Sequence, residues 1–492
     1  MKPNILLAAS FLALALGSCN KDFVEIPPQT AISSTTFYKT QDDFTQAVNG
    51  TYAGLRSLYS DAYVMGEMRS DNTHYVFKSG DRGGQNVQRE QIADFLEDPT
   101  NTYIANKWNS CYNIIARVNQ ILAQIDAASF DEAAKSNLKG QALFLRAFAY
   151  YELVQYFGDV PLHLKPASTI EETALPKTAA ADTYTQIITD AKDAAALLPL
   201  KATQEKGRVT NGSAKTLLGY VYLTQKQYAS AETILREVVS SGQYALLPDY
   251  AAVYALANKN SAESVFEVQY QQGTQGLQSN FAYIFIPALT NTQPITSVTP
   301  SNNQLIGGWN TPADDLISSY EANDKRKDAS IGYYTVSGVS YPYVKKYLHA
   351  HALYNNTDDN WPVYRYADVL LLLAESLNEQ GKSADALPFL NQVRTRAGLA
   401  ATTAAGQTAL RDVIAHERRI ELAFENKRWL DLVRTGKAIE VMTAYGAKVK
   451  ANPQKYYYPT GSGALSQSYN VTQSRLRFPI PDREVILNPL LK

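Results

Sequence analysis

The residues best suited to catalysis do not complete any recognised catalytic motif. His416 and Glu417 begin like the zinc-protease motif, but Ile420 stands where that motif requires its second histidine. Two further histidines, His349 and His351, would need a third metal ligand that nothing nearby supplies at a recognised spacing. We therefore expect no catalytic residue, no bound metal and no cofactor.

Other reactive groups lead to the same expectation. Residues 381–383 read Gly-Lys-Ser, but Ser376 replaces the earlier glycine of a phosphate-binding loop, and no Gly-x-Ser-x-Gly elbow occurs. A pair of glycosidase carboxylates stays an open alternative, because its two members need not be close in sequence. Calcium could bind where acidic residues cluster, as around Asp324 or Asp358, although acidic loops are more often only solvated.

The composition is that of an ordinary globular protein. Of the 492 residues, 45% are hydrophobic and 19% are charged, which provides enough apolar surface for a sizeable core. The net charge of -1 creates no broad positive field to gather phosphates, so nucleic acids are not expected partners. Tyrosines outnumber phenylalanines by 33 to 16, and tyrosine is preferred where a ring faces both protein and water. Many of these rings are therefore expected at a surface.

The N-terminus has the pattern of a targeting signal. A positively charged start precedes an apolar run over residues 5–16, which is too short to span a bilayer as a helix. The run ends in Leu-Gly-Ser-Cys at residues 16–19, an order typical of a lipobox. We expect residues 1–18 to be a lipoprotein signal peptide, Cys19 to carry the lipid, and residues 19–40 to form a tether. An ordinary secretory signal with an incidental cysteine is the alternative.

The rest of the chain, residues 41–492, is predicted to form one unit built on helix pairs. Apolar residues recur at spacings of three and four through residues 41–241. The spacing Leu-Gly-x2-Tyr from Leu218, followed by Ala-x3-Leu, is that of a tetratricopeptide helix pair, and a second copy begins 155 residues later at Leu373. Because 155 is not a multiple of the repeat length of about 34 residues, an insertion must separate the two pairs.

The insertion covers residues 242–361, where glycines and prolines break any helix longer than a few turns. Loops of this length are usually functional. Helices are predicted again over residues 362–440, and a loop-rich tail follows over residues 441–492. The predicted fold is therefore all-α: a tetratricopeptide-like helical scaffold that carries a long, irregular, loop-rich ligand-binding insert.

Four segments of the sequence resemble the SusD/RagB family of surface nutrient-binding lipoproteins. They are residues 141–162 (QALFLRAFAYYELVQYFGDVPL), 364–375 (YRYADVLLLLAE), 417–434 (ERRIELAFENKRWLDLVR) and 478–489 (FPIPDREVILNP). The segments occur in the order found in the family. Together with the lipobox they span nearly the whole chain, so chance similarity does not explain them.

The resemblance implies an all-helical fold with tetratricopeptide-like pairs and an irregular ligand-binding face. It implies a protein that is lipid-anchored in the outer membrane, faces the cell surface, and captures oligosaccharides or polysaccharides. The implied partner is a SusC-like TonB-dependent barrel, over which the lipoprotein closes as a lid. Two alternatives stay open: a surface scaffold that binds a peptide or protein through its repeats, and a lipid-anchored glycoside hydrolase.

The charged residues of these segments are interpreted mainly as structural. Opposite charges lie three residues apart in two pairs, Arg418 with Glu421 and Glu425 with Arg428. A solvated or half-buried ion-pair network is expected from this spacing. Arg365 precedes a strongly apolar helix and is expected mainly to cap it. The resemblance adds the prediction that Arg365 reaches a ligand.

A sugar offers flat C–H faces for aromatic rings and hydroxyls for carboxylates, amides and guanidiniums, so its site needs both kinds of side chain on an exposed loop. Residues 69–77 mix both kinds in a predicted loop between helices, and they resemble the Ser-Asp-Asn segment near the family's ligand face. The ligand-binding candidates in this loop are Asp71, Asn72, His74 and Tyr75.

The insertion adds two aromatic candidates, Tyr283 and Trp309. Trp309 follows Gly307 and Gly308 and precedes a turn-favouring Asn-Thr-Pro sequence, and a glycine pair without Cβ atoms is expected to anchor a core ring poorly. We therefore expect Trp309 to be exposed and to stack on a sugar. The alternative is that its ring folds back into a satellite hydrophobic cluster.

Overall fold

The first long helix begins at a side-chain cap. The computed structural model describes residues 37–492, and helix α1 (Gln41–Ser60) starts directly after Thr40. The Thr40 hydroxyl accepts a hydrogen bond from the Asp43 amide, while the Asp43 carboxylate accepts one from the Thr40 amide. This capping box satisfies two backbone donors that have no partner within the helix.

The N-terminal helices follow one another closely and pack in sequence order. They are α2 (Ala62–Gly66), α3 (Gly84–Ala93), α4 (Thr102–Gln124), α5 (Glu132–Phe157), α6 (Ala180–Leu197), α7 (Asn211–Thr224) and α8 (Tyr228–Ser240), with the two-residue strand β1 (Thr73–His74) between α2 and α3. Helix α4 packs on α5, α5 on α6, α6 on α7, and α7 on α8. The part predicted as helical over residues 41–241 is therefore one stack of helices.

Residues 242–361 contain short elements joined by loops. The helices are α9 (Phe281–Phe285), α10 (Gln293–Thr296), α11 (Asp314–Ile317) and α12 (Lys325–Ser330), and the strands are β2 (Ser264–Val268), β3 (Thr311–Pro312), β4 (Ile331–Val336) and β5 (Val339–Val344). The longest of these helices has six residues, as the glycine and proline positions predict.

Antiparallel strand pairs fix the insert to the rest of the chain. Strand β2 pairs with β6 (Trp361–Arg365), so the beginning and the end of the insert meet at its base. Strand β1 pairs with β3, which ties the N-terminal segment to the middle of the insert. Strands β4 and β5 form a hairpin.

The C-terminal helices continue the stack and the tail returns to its beginning. The helices are α13 (Tyr366–Glu379), α14 (Ser383–Arg396), α15 (Gln407–Glu421), α16 (Arg428–Arg434), α17 (Ala438–Ala451) and α18 (Asp482–Leu487). In the tail, the Phe478 amide donates to the Tyr156 carbonyl at 2.8 Å, and the Asp482 amide donates to the Pro99 carbonyl at 2.9 Å. These bonds fasten the C-terminus to the N-terminal helices.

The two predicted tetratricopeptide-like pairs are neighbours in space. The first pair is α7 with α8, and a Cβ atom on Gly219 would lie 2.5 Å from a methyl carbon of Leu235, so the missing side chain permits the close crossing. The second pair is α13 with α14, and α13 packs directly on α8. The insert therefore leaves the stack after α8 and returns to it at α13. The predicted all-α scaffold is confirmed.

Candidate functional site

The predicted ligand-binding loop is buried, so the expectation that its polar residues lie on an exposed loop is wrong. Asp71 forms ion pairs with Arg419 at 2.9 Å and Arg428 at 2.7 Å. Although burial opposes ionisation, these two guanidiniums hold the pKa of Asp71 below its usual range. The Asn72 amide nitrogen donates to Glu67 Oε1 at 2.8 Å. Arg419 Nε also donates to Asn72 Oδ1 at 2.8 Å, so both side chains join the N-terminal segment to the C-terminal helices instead of facing solvent.

The aromatic members of the same loop are also buried and paired. His74 Nδ1 donates to the Tyr75 carbonyl at 2.9 Å, which leaves Nε2 to accept from the Tyr469 hydroxyl at 3.1 Å. Burial lowers the pKa of His74 to about 4, so its ring is neutral at physiological pH. The Tyr75 hydroxyl lies 2.5 Å from the Tyr458 hydroxyl and donates to Asp94 at 3.1 Å. Neither ring is open to a ligand in this arrangement.

Arg365 lies inside the protein, so the prediction that it reaches a ligand is corrected. Its guanidinium contacts three carboxylates: Glu263 at 2.8 Å, Glu421 at 2.9 Å and Glu425 at 2.8 Å. The side chain makes no capping hydrogen bond to α13. A guanidinium removed from water needs close opposite charges, and the three carboxylates together with the Glu421 carbonyl accept hydrogen bonds from all of its nitrogens.

The expected ion pairs between residues three apart do not form, because every partner comes from another part of the chain. The pairs observed are Glu421 with Arg396 at 2.5 Å, Glu425 with Lys346 at 2.9 Å, Arg418 with Asp368 at 2.8 Å, and Arg428 with Asp71. Arg428 is partly exposed, whereas the other side chains of these pairs are buried instead of half-buried or solvated. Lys346 belongs to the insert and Glu425 to the scaffold, so the network connects the two.

Trp309 is only 3% exposed, and the expectation of an exposed ring is wrong. A Cβ atom on Gly307 would lie 2.4 Å from the Ile286 carbonyl oxygen, so the glycine pair lets the backbone pass close to a neighbouring loop and turns the ring inward. The ring lies 4.8 Å from the Lys78 ammonium and 6.3 Å from the Tyr75 ring. The alternative of a ring folded back into a hydrophobic cluster is the one observed, and the cluster is the main core.

Tyr283 is also buried, in a small cluster with Ala282 and Ile286. Its hydroxyl lies 2.8 Å from His351 Nε2, and its ring meets the Tyr354 ring edge to face at 4.9 Å. The partly exposed rings of Tyr343 and Tyr354 pack on this cluster from the solvent side. Tyr283 therefore lies directly below a surface of aromatic side chains.

Within residues 37–492, the two most exposed aromatic rings belong to the β4–β5 hairpin. Tyr333 is 50% exposed and Tyr341 is 38% exposed. Tyr334 lies directly opposite Tyr341, so their Cβ atoms are about 5 Å apart. Tyr343 shares this face, because side chains two residues apart on a strand point the same way. Tyr334, Tyr341 and Tyr343 thus form one continuous surface of rings.

The sequence analysis missed this hairpin, although a signal for it exists. Residues 331–344 read Ile-Gly-Tyr-Tyr-Thr-Val-Ser-Gly-Val-Ser-Tyr-Pro-Tyr-Val, in which aromatic and β-branched residues flank a Ser-Gly pair. Ser337 has φ of 51° and Gly338 has φ of 78°, and two positive φ values are typical of a two-residue hairpin turn. Tyr283 and Trp309, the aromatic candidates named from the insert, both lie outside this hairpin.

Further rings extend the hairpin surface on both sides. The Phe77 amide donates to the Tyr457 carbonyl at 3.2 Å, and the Tyr457 hydroxyl donates to the carbonyl of Pro312 in β3, which packs against β5. On the other side, Tyr354 adjoins Tyr343 through Tyr283. Tyr333 lies on the opposite face of the hairpin from Tyr334, Tyr341 and Tyr343, because neighbouring residues on a strand point to opposite faces. We call the rings on both faces of the hairpin, together with the rings that adjoin it, the aromatic band; they are Phe77, Tyr333, Tyr334, Tyr341, Tyr343, Tyr354 and Tyr457.

Polar and charged groups lie among these rings. Burial, followed by the negative charges of Asp328 and Asp314, raises the pKa of Tyr333, so its phenol stays protonated at neutral pH and can donate a hydrogen bond. The Arg82 guanidinium lies 4.4 Å from the centre of the Phe77 ring. The band can therefore stack on a flat apolar face and form hydrogen bonds with hydroxyls at its edges.

The acidic residues considered for calcium have protein partners. Asp324 pairs with Arg326 at 2.8 Å, and Asp358 pairs with Lys259 at 3.4 Å. His349 Nδ1 lies 2.5 Å from an oxygen of Asp359. Over residues 37–492, no group of three histidine, cysteine, aspartate or glutamate side chains has an arrangement that could hold a metal ion.

The predicted membrane anchor lies before the part of the chain that the structure describes. Cys19, the signal peptide over residues 1–18 and most of the tether over residues 19–40 precede residue 37, where the description begins. From residue 37 onward, no helix combines the length and the apolar character needed to cross a bilayer.

Comparison with known proteins gives two family matches that together cover well over half of the chain. A model described as "SusD family" matches residues 335–492, and a model described as "Starch-binding associating with outer membrane" matches residues 22–223. A SusD-like protein of Formosa agariphila is 24% identical, over 100% of this chain and 98% of that protein. A SusD-like protein of Bacteroides ovatus is 23% identical, over 100% of this chain and 97% of that protein.

Solved structures share the fold. A SusD-like carbohydrate binding protein from Bacteroides fragilis superposes with a TM-score of 0.77 at 24% identity, and the match covers 93% of this chain and 100% of that one. Surface glycan-binding protein A from Bacteroides uniformis gives a TM-score of 0.75 at 23% identity, covering 92% of this chain and 99% of that one. At these identities the structural likeness establishes the fold.

Proposed function

The chain belongs to the SusD/RagB family, and on that premise we propose that it is a surface protein that captures oligosaccharides or polysaccharides on the aromatic band. The observation that carries the proposal is the row of tyrosines on the β4–β5 hairpin. A ligand with flat C–H faces and many hydroxyls matches rings whose bodies are apolar and whose edges donate hydrogen bonds.

The exposure of the hairpin supports this role. Val336 and Val339 at its tip are 42% and 51% exposed, next to the exposed rings of Tyr333 and Tyr341. Contiguous apolar surface of this kind is costly in water, and on soluble proteins it marks binding sites. The two strands of the hairpin are also paired along their whole length, so its rings are held in place before a ligand arrives.

The buried candidates are proposed to act by positioning the band. Tyr283 supports Tyr354 from below, and Trp309 supports Tyr75. The remaining candidates fasten to the scaffold those segments on which the band lies, through ion pairs and hydrogen bonds. These candidates are Asp71, Asn72, His74, Tyr75 and Arg365.

We further propose that the lipid on Cys19 anchors the protein in the outer membrane, and that the bound glycan passes to a SusC-like TonB-dependent barrel. The family description and the lipobox support this location. Purification at endogenous level from detergent-solubilised outer membranes tests the partnership. The protein should co-purify with a large barrel, and a monomer alone, recovered while the barrel stays intact, would contradict it.

The binding proposal is tested by removing rings from the hairpin. We expect Tyr341→Ala and Tyr334→Ala each to weaken binding at least tenfold, or about 1.4 kcal/mol, by calorimetry with an oligosaccharide selected on a glycan array. The matched control is Tyr228→Ala, a partly exposed tyrosine on α8, outside the band. Unchanged affinity in both hairpin variants, with thermal unfolding also unchanged, would remove the hairpin from the site.

The same samples separate the alternative functions. Release of reducing ends from the bound polysaccharide would indicate a glycoside hydrolase. Binding to a peptide array, with none to the glycan array, would indicate a scaffold for peptides. A glycan that is retained and stays intact supports the proposal that the protein binds without catalysis.

A further inference from the structure

A polar cleft opens where the insert meets α1 and α4. It has a volume of about 630 Å³ and shares no residue with the aromatic band, although it adjoins the band at Asn355, next to Tyr354. The wall from α1 presents Arg56, Ser57 and Ser60, which lie on one face of the helix. A volume of this size accommodates a ligand of one or more sugar units.

The cleft contains one charge that the protein does not neutralise. Arg56 is the only charged side chain that lines it, and the Arg56 guanidinium has no hydrogen bond or ion pair with any side chain or carbonyl in residues 37–492. Asp61, which directly follows α1, accepts a weak hydrogen bond from Asn106 at 3.5 Å and does not line the cleft. Arg365, by contrast, has three carboxylate partners.

Most of the other lining residues carry neutral hydrogen-bonding groups. Asn106 and Asn109 lie three residues apart on α4, so their amides point to the same side. The insert contributes Gln278 and Asn280 from the opposite wall. Amides and serine hydroxyls both donate and accept hydrogen bonds, which is what the hydroxyls of a sugar require.

We propose that this cleft binds a uronic acid unit of an acidic saccharide, with the carboxylate on Arg56 and the ring hydroxyls on the surrounding amides. A planar carboxylate can accept two parallel hydrogen bonds from a guanidinium, and such charge-assisted bonds are stronger than neutral ones. The cleft thereby selects ligands by their charge, whereas the aromatic band selects them by their shape and by stacking. The inference does not depend on binding at the band.

Calorimetry with the mature protein tests this site, using two probes of which only one carries negatively charged carboxyl groups. The probes are an oligogalacturonate and its fully methyl-esterified form. We expect the wild type to bind the acid form at least tenfold more tightly than the ester, and Arg56→Gln to lose this preference without a change in melting temperature. Arg483→Gln, which removes an exposed arginine on α18, should keep the preference. The preference should also shrink as salt rises, because Arg56 is only half-buried.

Three results would overturn the inference. Equal affinity of the wild type for both probes would show that no charged sugar is selected. A preference that survives in Arg56→Gln, or disappears in Tyr341→Ala, would place the acid somewhere other than the cleft. A sulfated oligosaccharide that binds as tightly, with the same dependence on Arg56, would replace the uronic acid as the ligand.

Discussion

At the scale of single residues, the setting of Trp309 decides its role. Its ring packs in the main core with Lys78 and Tyr75 around it. We expect Trp309→Ala to destabilise the fold by roughly 3 to 5 kcal/mol, because the substitution leaves a large cavity. Thermal unfolding measures this loss. Tyr341→Ala, at an exposed position, should shift stability by less than about 0.5 kcal/mol, and equal shifts in the two variants would contradict the assignment.

Glu67 gives the fold a dependence on pH. Burial raises the pKa of its carboxyl to about 7, although hydrogen bonds from Asn72 and from the Phe424 and Asn426 amides act in the opposite direction. Between pH 4.5 and pH 7 the folded protein therefore holds a proton that the unfolded chain has lost, so the free energy of unfolding falls as pH rises through this window.

The expected loss that Glu67 causes is about 3 kcal/mol, since each pKa unit corresponds to about 1.4 kcal/mol. Glu67→Gln removes the titrating group, and chemical denaturation at several pH values should show wild type losing stability relative to this variant between pH 4.5 and pH 7. Glu440→Gln, at an exposed carboxylate on α17, should follow the wild-type curve. Parallel curves for wild type and Glu67→Gln would refute the prediction.

The sequence predicted that the charged residues would form ion pairs, but it did not predict which partners they would contact. The arginines and glutamates of segment 417–434 were recognised as an ion-pair network, but their partners lie tens of residues away, and spacing along one helix carries no information about them. Asp71 was a candidate because sugar sites contain carboxylates on loops, and Arg365 was a candidate because of the family resemblance. Buried ion pairs use the same groups, and only the fold distinguishes the two roles.

At the scale of elements, the crossing of α7 and α8 depends on Gly219. A Cβ atom at this position would approach Leu235 to 2.5 Å. We expect Gly219→Ala to destabilise the protein by about 1 to 3 kcal/mol, because the added methyl group forces the buried Leu235 side chain or the two helices to shift. The control is Gly84→Ala, a helical glycine with open space around its Cβ position. A melting temperature that is unchanged in Gly219→Ala would show that the helix pair adjusts without cost.

The helix pairs could be predicted because the spacing of apolar residues that indicates a helix is complete within each helix. The pairing of β2 with β6 could not, since the two strands lie far apart in the chain and their short apolar runs fit several structures. The β4–β5 hairpin was predictable in principle from its turn and its alternation. The exposure of its tyrosines to solvent depends on the cluster around Tyr283, against which the hairpin packs. That cluster forms only when the insert is folded.

At the scale of the whole molecule, the anchor at Cys19 is expected to keep the protein on the membrane. We predict that Cys19→Ala abolishes fatty-acid labelling and removes the protein from the outer-membrane fraction, because a lipoprotein held by its acyl chains has no attachment without them. The control is Cys111→Ala, which changes the other cysteine of the chain, a buried one. Full labelling and membrane recovery of Cys19→Ala would contradict the lipobox assignment.

Because α8 packs directly on α13, the insert between them can be replaced by another one, in evolution or in protein design, without disturbing the helix stack. Because the stack continues past the insert, residues 270–359 can change in length and sequence while the helices keep their neighbours, and the entropy of closing a loop rises only slowly with its length. The ion pairs set the limit on what can be exchanged. Arg326 and Lys346 neutralise glutamates of the scaffold, so a transplanted insert must bring equivalent cations or leave buried carboxylates unpaired.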